Sequence, residues 1–125
     1  MNTYNKDLRM YILINKDIEL SKGKVAGQVG HAVASFFYNI DNRPLLTDYM
    51  EHEQKKIMLS CPQSKLEELE QLGYIAIRDK GYTEIEPNTL TCVNFGIWDV
   101  NDESHPLPKW IKRLRLYKWS RQRED

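Results

Sequence analysis

Apolar residues follow two rhythms along this chain. The first is the short continuous run. Met10-Tyr11-Ile12-Leu13-Ile14 predicts a strand over Arg9 to Asn15, central in a sheet and covered on both faces. Similar runs predict strands over Lys56 to Cys61, Tyr74 to Asp79 and Leu90 to Trp98. The second rhythm is helical. Val25, Val29, Ala32 and Phe36 form an apolar stripe and predict a helix from about Gly23 to Tyr38, with Ser21 as its N-cap. Leu45 to Glu53 predicts a short helix with Leu45, Leu46 and Tyr49 on one side. Ser64-Lys65-Leu66-Glu67 has the form of a capping box opening a helix to Leu72, stopped by Gly73. A last helix is expected to begin near Pro108 and run into the basic tail.

In order, these elements read β-α-α-β-α-β-β-α. That is an α/β chain: a three-layer α/β/α single domain around a mixed, mostly parallel four-stranded sheet with one antiparallel strand. The 125 residues fit one domain, with residues 1–8 and 120–125 expected as flexible ends. Such a sheet gathers binding residues in the loops at the carboxyl ends of its parallel strands. The first strand leads into Lys22-Gly23-Lys24 and the third ends at Asp79, so these residues would share one sheet edge.

Composition narrows the picture. No apolar run approaches the ~20 residues of a membrane span, and the polar N-terminus is not a secretory signal. A cytoplasmic location and no membrane partner are expected. Cys61 and Cys92 lie in strand-like runs and read as small buried hydrophobes rather than as a nucleophile or half of a metal site. Net charge is zero but unevenly spread: residues 109–123 hold seven cations and no acid, with Trp110, Tyr117 and Trp119 among them. This segment fits either a nucleic-acid contact or a solvated, frayed tail.

The chemistry concentrates at the start of the first helix. Lys22 and Lys24 stand at its positive end, where a cation costs a few tenths of a kcal/mol, roughly up to 1. An anion bound at the helix start would explain them. Lys24, Gln28, His31 and Ser35 then recur as one polar stripe beside the apolar one. The plain alternative is that lysines are solvated and the stripe is the wet side of the helix.

Asp17 to Ala32, with its Gly23-Lys24 pair, Gln28 and His31-Ala32, resembles the first-helix signature of the type II peptidyl-tRNA hydrolases. Asp79-Lys80-Gly81-Tyr82-Thr83-Glu84-Ile85-Glu86-Pro87 is similar to that family's second block, and Arg115-Leu116-Tyr117 to its closing segment. Asn15 and Tyr82 stand where the family usually has arginine, Glu84 where it has glutamine, and Asn94-Phe95-Gly96-Ile97 replaces a Gly-Ile-Gly-Pro. The resemblance implies an esterase that cleaves peptidyl-tRNA with an activated water and no cofactor or metal, as a possible homodimer. It implies Lys24, His31, Asp79 and Thr83 as catalytic residues, with His31 or Asp79 handling the water and Lys24 steadying the oxyanion or a nearby phosphate. Lys22, Gln28, Lys80, Lys112 and Arg115 would bind the tRNA end or the ester. No Gly-x-Ser-x-Gly elbow or other nucleophile signature accompanies them. The other readings are a non-catalytic RNA- or protein-binding module that kept the fold, and a hydrolase of a related acyl ester.

Overall fold

The computed structural model describes residues 5–81 and 86–119. Eight elements follow in order: β1 (Leu8–Asn15), α1 (Lys22–Asn39), α2 (Arg43–Glu51), β2 (Lys55–Cys61), α3 (Gln63–Gln71), β3 (Ile75–Arg78), β4 (Leu90–Asp99) and α4 (Lys109–Lys112). The strands form one sheet in the order β2-β1-β4-β3. β1 pairs with β2 in parallel, and β4 runs antiparallel to both β1 and β3. Three strands therefore point the same way. The reversed strand lies between β1 and β3, so only the β1–β2 pairing is parallel.

The period of two along β1 divides the interior into two cores. Leu8, Met10, Ile12 and Ile14 pack with Ala32 of α1 and Tyr49 of α2. Tyr11 and Leu13 face the other way, against Leu66 and Leu69 of α3 and Ile111 of α4. This is the three-layer arrangement expected from the continuous apolar run. Cys61 and Cys92 are both buried as free thiols within these cores, as expected, and burial pushes them up to about 11 and about 12 respectively.

β4 breaks the period of two twice. Register shifts fall opposite Tyr11/Ile12 and opposite Ile77/Arg78, which leaves Phe95 and Thr91 as extra residues on β4. At the first bulge Gly96 takes φ +99°, and its N–H donates to Asn94 Oδ1 at 2.8 Å. The enclosed Asn94 amide donates to the Ala32 carbonyl at 3.2 Å, tying the bulge to α1.

Two expectations need correction. The Ser64/Glu67 capping box does not form. Pro62 occupies the N-cap of α3, and Asp17 Oδ2, from the loop after β1, accepts the Gln63 N–H at 2.8 Å. The last helix also stops at Lys112 instead of continuing into the basic segment. Beyond it the chain extends along the edge strand: Ser60 N–H donates to the Arg115 carbonyl and Tyr117 N–H to the Met58 carbonyl, each at 2.9 Å, with a bridge between Leu59 and Leu116. Covering an open strand edge satisfies its free backbone groups, which outweighs continuing a short helix. The segment is thus not frayed up to Tyr117. Of the ends expected to be loose, 1–4 and 120–125 lie outside the described residues, while Asp7 is held by Asp99 Oδ1, which accepts its N–H at 3.0 Å. Among the described residues no helix is long and apolar enough to cross a membrane.

Candidate functional site

The site is assembled at the sheet edge where β1, β2 and β3 end. β1 runs out at Asn15, level with Cys61 at the end of β2. β3 ends at Arg78, level with Leu90. The Asn15 amide crosses this edge and donates to the Leu90 carbonyl at 2.9 Å. Asn15 is fully buried, and its Oδ1 accepts the Asp17 N–H at 2.8 Å. Its role is to fasten the strand ends together. The absence of an arginine here is therefore met by an internal, fully satisfied amide.

α1 starts over this edge. Ser21 sits at the N-cap with extended backbone, and its hydroxyl accepts the Lys24 N–H at 3.2 Å, as its residue type predicts. No acid lies in the first turn. The two lysines find partners elsewhere. Lys24 Nζ reaches Asp79 Oδ1 at 2.5 Å, with 13% and 8% of the side chains exposed. Lys22 Nζ lies 4.3 Å from the centre of the Trp119 ring, a cation–π contact from the extended C-terminal segment. The unfavourable dipole at this helix end is offset by a carboxylate and an aromatic face.

Asp79 is held from several sides. Its Oδ2 accepts the Gly81 N–H at 3.1 Å. The ammonium of Lys24, first, and then the N–H groups of Gly81 and Lys80 hold the carboxyl below its usual value. Gly81 is required where it stands. Its φ is +80°, and a Cβ would lie 2.7 Å from Pro87 Cα. The turn that presents two N–H groups to Asp79 thus depends on a glycine pressed against the returning loop.

Gln28, one turn beyond Lys24, is fixed by a directed chain. Its amide donates to Thr91 Oγ1 at 2.8 Å, and the Thr91 hydroxyl donates to the Ile77 carbonyl at 3.0 Å. Thr91 is fully buried and is the extra residue of the second β4 bulge. Sequence reading missed it, because a bulge leaves no mark in a run of apolar and β-branched residues. With the amide nitrogen engaged, the Gln28 carbonyl is the group available to accept a hydrogen bond.

The remaining expected residues scatter. His31 is exposed on α1 and has no hydrogen bond or ion pair with a described residue. The helical rise places it about 10 Å along the axis from Lys24. Thr83 falls outside the described residues. Lys80 is exposed beside Asp79. Arg115 lines a groove with Lys16 and Lys118 at the same sheet edge. Lys112 lies in a different groove, with Arg9, Asp102 and Glu103, at the opposite edge where β1 begins. His52 and His105 are exposed, as expected for surface and loop residues. Among the described residues no group of three or more His, Cys, Asp and Glu side chains could hold a metal ion. The arrangement instead offers a carboxylate and an ammonium in close contact and largely shielded from solvent, flanked by exposed cations. Such a pair can orient a water and stabilise developing negative charge.

The sequence model of a family described as "Peptidyl-tRNA hydrolase PTH2" matches residues 8–117. A Thermoplasma volcanium protein named peptidyl-tRNA hydrolase is 31% identical over 71% of this chain and 84% of its own length. Its Thermoplasma acidophilum namesake is 29% identical over 86% of this chain and 97% of its own. One from Methanopyrus kandleri is 34% identical over 70% of this chain and 83% of its own.

Proposed function

Since the chain belongs to the peptidyl-tRNA hydrolase PTH2 family, we propose that it hydrolyses the ester joining a peptide to the terminal ribose of tRNA, using the Lys24–Asp79 pair, a water and no cofactor. The contact that carries this reading is the 2.5 Å approach of Lys24 Nζ to Asp79 Oδ1, both side chains largely shielded from solvent.

The reaction proceeds in two steps. A water hydrogen-bonded to Asp79 attacks the ester carbonyl, and the resulting oxyanion is met by the Lys24 ammonium. In the resting site Asp79 is a weak base, because Lys24 stabilises its charged form. As negative charge builds on the oxyanion, Lys24 turns part of its interaction toward it. The proton affinity of Asp79 rises at the moment the water must lose its proton. Collapse of the tetrahedral intermediate expels the ribose oxygen, which takes that proton, and releases tRNA and the peptide acid. The Gln28 carbonyl and Thr83 hydrogen-bond the ribose or the ester. Lys22 and Lys80 face the phosphate of the tRNA end. His31, solvent-exposed and further along α1, contacts substrate instead of taking the proton.

The test is cleavage of an N-blocked aminoacyl-tRNA by wild type, Lys24→Ala, Asp79→Asn and His31→Ala. Wild type is expected to turn over. The first two variants should lose about 10²–10³-fold in kcat/KM, and His31→Ala should lose less than tenfold. Wild-type protein that binds tRNA without cleaving it would favour the binding-module reading. A His31→Ala loss exceeding that of Asp79→Asn would move the base to His31.

A further inference from the structure

The C-terminal segment makes a second surface that the Lys24–Asp79 pair does not account for. Beyond α4 the chain lies antiparallel on β2, anchored by Ser60 and Met58. This extended course spreads its cations instead of winding them round a helix. Arg113, Arg115 and Lys118 line a groove of about 670 Å³ together with Lys16 and Ser60. Lys16 comes from the loop after β1, a different part of the chain. All four cations are exposed, and none has a described carboxylate within 4 Å. By contrast, Arg9 and Lys55 share Asp7, and Arg78 meets Glu70. Four cations without a carboxylate thus line one groove. Leu116, 61% exposed, is an apolar contact in the groove. Next to Lys118, Trp119 lies beneath Lys22, so the row of cations leads to the first turn of α1, which also carries Lys24 of the Lys24–Asp79 pair.

We propose that this groove, formed by Lys16, Arg113, Arg115 and Lys118, holds the sugar-phosphate backbone of the RNA at a distance from the scissile bond. The inference rests on the reading of the Lys24–Asp79 pair above for its choice of RNA. Four unpaired cations along an extended strand suit successive phosphates of one nucleic-acid strand, and each phosphate neutralised releases counterions. The contribution is to binding and not to the chemical step. It should appear in Kd and KM and leave kcat untouched.

The experiment measures binding of unacylated tRNA to the full chain across a salt series, together with cleavage at saturating peptidyl-tRNA. The variants are the triple Arg113→Ala/Arg115→Ala/Lys118→Ala, the single Lys16→Ala, and Lys109→Ala from the other end of the basic segment. The triple variant should raise Kd about tenfold at physiological salt and lower the salt slope by about two to three. Lys16→Ala should lower the slope by about one, and Lys109→Ala should change neither. Unchanged Kd and slope in the triple variant and in Lys16→Ala would overturn the proposal. If the triple variant fails to fold, the outcome with Lys16→Ala decides alone, since that residue lies outside the C-terminal segment. A wild-type protein without turnover whose variants still show the shifts supports the groove and refutes the reading of the Lys24–Asp79 pair.

Discussion

Ion pairs mark both edges of this sheet. At the edge where β1 begins, Asp7 is shared: Arg9 donates to it at 3.2 and 2.8 Å, and Lys55 at 3.0 Å. At the edge where β1 ends, Lys24 and Asp79 form a single pair. The Asp7 cluster is the more solvated, with 21% to 35% of its side chains exposed, against 13% and 8% for the other pair. The first cluster joins the starts of β1 and β2, and the Asp7 carbonyl also accepts the Val100 N–H, binding in the end of β4. It is a clamp. The second joins a helix start to a loop, shielded from solvent, beside exposed cations that have no acids. A charge pair in that setting is costly to keep, which suits the catalytic role proposed for it.

The largest effect should come from replacing the buried pair as a unit. Lys24→Met with Asp79→Leu removes both charges together, so it should melt close to wild type, whereas Asp79→Asn alone should melt earlier by stranding the ammonium. Cleavage should be lost in both. Denaturant melts with activity assays check this, and retention of activity in the double variant would make the pair structural, like the Asp7 clamp. Gly81→Ala should follow, costing about 2 kcal/mol through its positive φ and the contact with Pro87. It should also lower kcat/KM, since Asp79 loses its Gly81 N–H. A melt and an assay with a crystal structure of the variant would show whether the loop has moved. Asn15→Ala should cost about 1–3 kcal/mol by leaving the Asp17 N–H and the Leu90 carbonyl without their partner, and would reduce activity only through displacement of the loop before α1.

The smallest effect belongs to the clamp. Asp7 is lowered to about 2 by Arg9 and then Lys55. A carboxyl lowered in the folded state adds stability above the unfolded value of about 4, and that stability is lost as pH falls toward 2. Because the cluster is solvated, Asp7→Asn should cost no more than about 1 kcal/mol at neutral pH, the difference from wild type closing between pH 4 and 2. Asp79 is lowered in the same direction, by Lys24 first, so its contribution has the same sign. Cleavage should therefore persist on the acid side through the ordinary carboxylate range and fall only below it, which a pH–rate profile of kcat/KM would show.

Much of this was legible along the chain. The run Met10 to Ile14 determined a central strand buried on two faces, since alternating residues must find apolar cover on both sides of a sheet. Ser21 determined the start of α1 by a bond within four residues. The Gly23-Lys24, Gln28 and Asp79-Lys80-Gly81 patterns were enough to indicate the family, because side chains aimed at one substrate sit at fixed local spacings. The tertiary structure alone decided the rest, through contacts between residues far apart in sequence. Asp17 caps α3 in place of Ser64, Thr91 on a bulge fixes Gln28, and Asn15 joins strand ends that lie 75 residues apart. Only the fold shows that Lys112 shares a groove with Asp102 and Glu103 while Arg113, Arg115 and Lys118 line one with Lys16, since that depends on the course of the segment along β2 past the point where the helix stops. Local hydrogen bonding and side-chain period act within a few residues and can be read from sequence. Electrostatic pairing, bulges and edge covering depend on what folding brings alongside.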